Sequence, residues 1–134
     1  MGQPAQIVIP TGPEAAGQAR TYVREVLANG DFPVGAACLD DVLLILSELV
    51  TNSYRYGTEP GDSMRVVVLT TPVHVRIEVH DPVRRHPEFR ETTEERVRGR
   101  GLHIVDALAA RWDVDDRPFG KAVWAEVPRY PTAN

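Results

Sequence analysis

Apolar residues recur along the first half of the chain at steps of three and four, the period of an amphipathic helix. This spacing predicts one helix over residues 15–27, ended by Asn29-Gly30, and a second over about residues 36–56, with Gly57 as its stop. The apolar face of the second helix contains seven residues: Leu39, Val42, Leu43, Leu46, Leu49, Val50 and Ser53. Both helices are therefore expected to pack against a common core.

Alternation of apolar and polar residues predicts strands in the rest of the chain. The predicted strands cover residues 6–9, 65–71, 73–79, 112–114 and 121–127. A third helix is predicted after residue 101, with Trp112 on its core side, and residues 82–98 are predicted to be an exposed loop because they lack periodicity. The order β-α-α-β-β-loop-α-β-β contains no regular βαβ alternation, which argues against a doubly wound parallel sheet. The predicted fold class is an α/β (α+β) two-layer sandwich, a mostly antiparallel mixed sheet covered on one face by helices.

The second helix also has a face that contains a possible pair of ligand-binding residues, Glu48 and Asn52. At about 100° per residue, Asp41, Ile45, Glu48 and Asn52 lie on a face roughly opposite the centre of the apolar one. A carboxylate and an amide one turn apart can converge on a common target. A solvated helix face would show the same pair, so the pair alone does not define a site.

A second polar feature precedes the predicted third helix. The two glycines of Gly99-Arg100-Gly101 allow backbone N–H groups to point at an anion, with support from the helix dipole. A plain flexible turn is the alternative interpretation. A dinucleotide-binding fingerprint is excluded because no strand leads directly into the glycines, and a Walker P-loop is excluded because no Gly-Lys-Ser/Thr follows.

Composition and charge narrow the classes of function. The 134 residues correspond to one domain, and a formal charge of −4 argues against a general nucleic-acid binder. Cys38 is the only cysteine, so an intramolecular disulfide is impossible and a reducing compartment is expected. The sequence shows no signal peptide and no apolar run of membrane-spanning length. The expected location is cytoplasmic, without membrane contact.

Four short motifs, in order along the chain, resemble those of the GHKL (Bergerat-fold) ATPase superfamily, the group of gyrase, the heat-shock chaperone ATPases and histidine kinases. The stretch Glu48-Leu49-Val50-Thr51-Asn52-Ser53 resembles its N-box, and His80-Asp81-Pro82 the start of its G1 box. Gly99-Arg100-Gly101-Leu102 resembles its G2 box, and Gly120-Lys121-Ala122-Val123-Trp124 its final strand. The resemblance covers about residues 5–127. It implies a single histidine-kinase-like ATPase domain over residues 1–134, with a lid at about 82–98.

The resemblance also implies a role for each matching residue. Glu48 is expected to be the general base, Asn52 the Mg²⁺ ligand and Asp81 the acceptor for the adenine amino group. The cofactors are then ATP and Mg²⁺. The phosphates are expected to be cradled by five residues: Gly99, Arg100, Gly101, Leu102 and His103.

The compact form most resembles bacterial anti-sigma-factor serine/threonine kinases, particularly the small actinobacterial ones. This implies two protein partners: a sigma factor, and a small antagonist protein that the kinase phosphorylates. A homodimer is left open, and direct contact with nucleic acid is not expected.

Three positions depart from the family pattern. Val83 and Arg85 stand where the G1 box has glycines, and Ala122 stands where the final strand often carries an adenine-binding threonine. These departures keep a second class of function open, a catalytically weak or nucleotide-free binding module that sequesters a regulator. A third alternative is a simple ATP hydrolase or a detached part of a histidine-kinase system. Retention of both Glu48 and Asn52 favours the kinase, because a pure binding module has no need of a base.

Overall fold

A computed structural model describes residues 4–82 and 102–130 of the chain, and within them the chain forms five strands and three helices. The strands are β1 (Ala5–Pro10), β2 (Ser63–Thr70), β3 (His74–Asp81), β4 (Arg111–Arg117) and β5 (Gly120–Pro128). The helices are α1 (Ala15–Ala28), α2 (Ala36–Asn52) and α3 (His103–Leu108). Between α2 and β2, residues Ser53–Gly57 continue the helix as a π-helical turn.

The strands form one sheet in the order β1-β2-β3-β5-β4. The predicted sandwich class is confirmed, with one correction: the four pairings among the described strands are all antiparallel, so this part of the sheet is not mixed. Short turns join β2 to β3 and β4 to β5. Antiparallel pairing follows because connections this short cannot make the crossover that parallel neighbours require.

The alternation in β3 places apolar residues on the face that the helices cover. Val75, Ile77 and Val79 are buried there, whereas Arg76 and Glu78 point to the other face. Val73, the first residue of the predicted strand 73–79, lies before β3, in the turn, and is exposed. Burial on a single face follows from the period of two along a strand.

All three helices lie on this one face, with α2 between α1 and α3 and against β3 and β5. This central position corrects one expectation about α2. Ile45 was predicted to lie opposite the apolar face, yet it is fully buried in the core. A helix with neighbours on several sides buries a wider arc than a surface helix does, so one apolar stripe underestimates its buried surface.

The third helix is shorter than predicted. α3 ends at Leu108, and Trp112, which was placed both on this helix and at the start of the predicted strand 112–114, lies in β4, where its indole N–H donates to Asp106. The predicted lid lies outside the described residues except for Pro82. Within residues 4–82 and 102–130, no helix has the length and apolarity needed to cross a membrane.

The face of the sheet away from the helices carries a charged network centred on Glu126. Its carboxylate accepts from Arg76 at 3.0 Å and from Arg111 at 2.6 Å, and His74 lies 3.2 Å away. Arg76 also donates to Glu78 at 2.8 Å and stacks 4.0 Å from the centre of the Trp124 ring.

These contacts shift the ionisation of both carboxylates. Burial opposes the shift, but bonds to Arg111 and Arg76 and the charge of His74 hold the pKa of Glu126 below its ordinary value of 4.5. The pKa of Glu78 is likewise lowered despite its burial, by Arg76 and His80. Both groups are therefore anionic partners in a connected surface network.

Candidate functional site

The N-box residues Glu48 and Asn52 lie on α2 and are both half-buried, one helical turn apart. They are neither sealed in the core nor on an open surface. Side chains four residues apart on a helix project to the same side. The structure therefore keeps both on one side of α2, in positions that a ligand can reach.

The π-helical turn after Asn52 directs the chain from α2 to the end of the sheet. Thr58 fixes this turn: its hydroxyl donates to the carbonyl of Ser53 at 3.0 Å and shares a hydrogen bond with the Thr11 hydroxyl at 2.5 Å. π-helical turns inside α-helices often occur at functional sites. Here the turn ends at Gly57, which packs against β3.

Gly57 lies against the carboxylate of Asp81, the last residue of β3. A Cβ at residue 57 would be 2.2 Å from Asp81 Oδ2 and 3.0 Å from the Nζ atom of Lys121. Only a glycine permits this approach, because real Cβ atoms essentially never come that close to a neighbour. The predicted adenine acceptor and the end of the predicted N-box helix are thus in direct contact.

Asp81 forms an ion pair with Lys121, a residue without a predicted role. Lys121 lies directly opposite Asp81 in the register of β3 and β5, and its Nζ donates to both Oδ1 and Oδ2 at 3.0 Å. The side chains of Asp81 and Lys121 are only 3% and 9% exposed. Gly120 packs equally closely on the Asp81 backbone, where a Cβ would lie 2.0 Å from the carbonyl oxygen.

The register also corrects the interpretation of Ala122. Ala122 pairs with His80, whose side chain belongs to the face away from the helices, so Ala122 faces away from Asp81. The residue of β5 that faces Asp81 is Lys121. This position of Lys121 could have been predicted from the sequence. Val123, Ala125 and Val127 alternate along the strand, and the same period of two places residue 121 on their face.

The predicted phosphate cradle is only partly described. Gly99, Arg100 and Gly101 lie outside the described residues, so their predicted role stays a prediction. Leu102 is buried, and His103 is the exposed first residue of α3. The structure thus describes the G2 motif only where it joins the helix.

The residues present fit a singly ligated Mg²⁺ better than a metal cage. Residues 4–82 and 102–130 contain no group of three or more histidine, cysteine, aspartate or glutamate side chains that could hold a metal. Mg²⁺ in phosphate-transfer sites usually has one or two protein ligands and otherwise water and phosphate oxygens. The next residue, Ser53, has a buried hydroxyl without a hydrogen-bond partner among the described atoms, but it belongs to the apolar face of the helix and not to the face of Asn52.

Fold and site together define a class: a helix-covered antiparallel sheet with a polar site where the N-box helix meets the end of β3. Residues 9–127 match the histidine kinase-like ATPase domain family, and the chain belongs to this family. The prediction of a GHKL-type ATPase domain is thereby confirmed. A search of curated proteins gives no match.

Among solved structures, the chain is similar to the crystal structure of the RsbU and RsbW domains of Rv1364c from Mycobacterium tuberculosis. The TM-score is 0.70 at 20% identity, over 97% of this chain and 34% of that chain. At this identity the likeness concerns the fold. This chain spans about a third of the length of the chain in that structure.

Proposed function

We propose that this protein binds ATP with Mg²⁺ and acts as an anti-sigma-factor serine/threonine kinase. The observation that carries the proposal is the contact of Gly57 with Asp81. This contact joins the N-box helix to the residue proposed to accept a hydrogen bond from adenine. Gly57 follows Asn52 by five positions, and a single π-helical turn joins the two residues. This separation suits a nucleotide whose base lies near Asp81 and whose phosphates lie near Asn52.

In this proposal each residue has one role. Asn52 provides the protein ligand of Mg²⁺, and Asp81 accepts a hydrogen bond from the adenine amino group. Bound ATP and Mg²⁺ supply the transferable γ-phosphoryl group and the charge that stabilises it. Glu48 orients and deprotonates a seryl or threonyl hydroxyl of the protein substrate.

The remaining assignments carry over from the motifs. Residues 99–103 form the phosphate cradle, residues 82–98 form the lid, and residues 1–134 form one domain. The RsbU and RsbW domains in the similar structure support a partner-switching role, with a sigma factor and a small antagonist protein as partners. The proposed location is the cytoplasm.

Phosphoryl transfer tests the kinase activity directly. ATP labelled in the γ-phosphate is mixed with the protein and with candidate antagonist proteins encoded near it. We expect label on a serine or threonine of one antagonist, and a loss of about 100-fold or more in Glu48→Gln, because a positioned base contributes that much to the rate. Glu25→Gln, on the exposed side of α1, is the matched control. Unchanged transfer in Glu48→Gln would remove Glu48 from the proposed mechanism.

One observation favours a second candidate, the nucleotide-free binding module. The Asp81 carboxylate accepts two hydrogen bonds from Lys121, the kind of contact that adenine is proposed to make. A module of this kind sequesters its regulator equally well with and without ATP. The kinase predicts instead that antagonist phosphorylation releases the antagonist, which a pull-down with and without ATP distinguishes.

A further inference from the structure

Asp81 and Lys121 interrupt an otherwise apolar row on the helix-facing side of β3 and β5. The three cross-strand pairs before them on this face are apolar: Val75 with Val127, Ile77 with Ala125, and Val79 with Val123. Lys121 is also the only lysine of the chain, which otherwise uses arginine for its cations. A buried ion pair at the end of an apolar row therefore needs an explanation.

Stability does not provide that explanation. Replacing a buried ion pair by apolar residues of similar volume is often neutral or stabilising. Positions where a sequence breaks its own apolar pattern are typically functional. In addition, Gly57 packs on the carboxylate and Gly120 on the backbone carbonyl of Asp81, so a side chain at either position would displace Asp81.

The pair borders a cavity despite its burial. Asp81 and Lys121 both belong to the lining of a cavity of about 360 Å³ at this end of the sheet. The lining also includes apolar and polar residues, among them Met64, Pro82, Phe119, Arg65, His80 and Arg117. Cavities of this size, mostly apolar and with a few convergent polar groups, are typical of small-molecule sites.

We propose that Lys121 is a second base-reading residue, which donates a hydrogen bond to the N1 atom of adenine while Asp81 accepts one from the N6 amino group. This inference rests on the proposed ATP binding and adds the residue that sets base specificity. The Asp81 carboxylate is an acceptor and the Lys121 ammonium group is a donor, and the two lie 3.0 Å apart. On the edge of adenine, the N6 amino group is a donor and the neighbouring N1 atom is an acceptor. Each protein group can therefore pair with one group of the base. Lys121 turns from its bidentate contact towards the base while it keeps one bond to Asp81.

The same arrangement rejects guanine. In the same orientation guanine presents its O6 acceptor to the carboxylate and its N1–H donor to the ammonium group, so both contacts are repulsive. A site built to hydrogen-bond a ligand strongly disfavours an analogue that leaves its buried polar groups unpaired. Base readout by a paired donor and acceptor is the same principle that distinguishes bases in nucleic acids.

Ligand analogues test the inference on the unaltered protein. Affinities are measured by calorimetry, with Mg²⁺ present, for ATP, for GTP and for 1-deaza-ATP, which keeps the amino group but replaces N1 by C–H. We expect 1-deaza-ATP to bind about 10- to 100-fold more weakly than ATP, the range for loss of a hydrogen bond to a charged group. GTP is expected to bind more weakly still.

The single lysine provides a direct spectroscopic signal. In protein labelled with ¹⁵N-lysine, the one side-chain nitrogen resonance belongs to Lys121. We expect ATP to shift this resonance and 1-deaza-ATP to shift it much less. A resonance that both nucleotides shift equally, together with equal affinities, would overturn the inference.

A substitution gives the complementary result. In Lys121→Met the preference for ATP over 1-deaza-ATP is expected to disappear, whereas Arg117→Met, which removes a cation lining the same cavity, should keep it. If the single variant is unstable, the double variant Asp81→Asn with Lys121→Met removes both charges together and should show the same loss of preference.

Tighter ATP binding in either variant would show that Lys121 competes with the base, and would overturn the inference. Absence of ATP binding to the wild type would overturn the proposed function as well, whereas ATP binding without discrimination at N1 overturns only the role of Lys121.

Discussion

The two faces of the sheet use charged residues in different ways. On the helix-facing side, both members of the Asp81–Lys121 ion pair are buried, and Gly57 and Gly120 pack on Asp81. On the other side, Glu126 is buried but its partners reach the surface, and Arg111 is 67% exposed. A pair with both members buried is sensitive to changes in its geometry, whereas contacts with exposed partners can rearrange. The buried Asp81–Lys121 pair is therefore suited to recognising a ligand, and the network around Glu126 to stabilising a face of the sheet.

The largest difference between the faces is expected for truncation of apolar side chains. Val79 is buried under the helices, and Val67 on the neighbouring strand is half-buried on the other face. Val79→Ala should cost about 2.5 kcal/mol of unfolding free energy, because it leaves a cavity in the packed core. Val67→Ala should cost less than about 1 kcal/mol. Urea unfolding of both variants measures the difference, and equal losses would contradict one-sided burial.

Adding a methyl group at Gly57 should perturb the ion pair. In Gly57→Ala the new Cβ would overlap Asp81 Oδ2, so the carboxylate or the π-helical turn has to move, at a cost of about 2 kcal/mol. ATP binding should weaken as well. Gly17→Ala, in α1 where a Cβ has ordinary room, is the matched control and should stabilise by up to about 1 kcal/mol. A Gly57→Ala variant as stable as the wild type, with unchanged ATP affinity, would show that the close packing has no role.

Removing the charge of Glu126 should change stability in a pH-dependent way. The pKa of this carboxyl is held below 4.5 in the folded protein, so its contribution is fully present above that pH and is lost as pH falls through the lowered value. Glu126→Gln should cost about 1.5 kcal/mol at pH 7, and its difference from the wild type should shrink in acid. Chemical unfolding at pH 7 and near pH 3 measures this. A pH-independent loss would point to packing instead of charge.

The smallest effect is expected at the exposed end of this network. Arg111→Ala should cost less than about 1 kcal/mol, since exposed ion pairs contribute little and Arg76 still pairs with Glu126. The loss should decrease further in 1 M salt, where charges are screened. Thermal unfolding at low and high salt is sufficient, and a loss above 2 kcal/mol would mean that the network behaves like a buried pair.

Most of the fold was predictable from local patterns. The period of α1 and the alternation of β3 each arise within one segment, so helix and strand positions follow from the sequence within a few residues. The end of the third helix was wrong because Trp112 has an apolar ring that fits a helix stripe and a strand face equally well. Ile45 was misplaced because the sequence does not contain the number of neighbours that surround α2.

The candidate site rests on motifs that the sequence shows and on contacts that it does not show. Glu48, Asn52 and Asp81 were proposed from short stretches with a known order. Lys121 was missed because its role depends on the register between β3 and β5, a long-range feature. The contact of Gly57 with Asp81 depends on a π-helical turn, and no residue pattern in the sequence signals that turn.

Binding of ATP in the presence of Mg²⁺ tests the central claim most directly. Calorimetric titrations are carried out on the wild type, on Asn52→Ala and on Asn29→Ala, which removes an exposed asparagine at the end of α1. The account predicts equal binding to the wild type and Asn29→Ala, and at least about tenfold weaker binding to Asn52→Ala, because the protein ligand of Mg²⁺ is lost. Equal affinity of all three proteins, or no binding by the wild type at millimolar ATP, would contradict it.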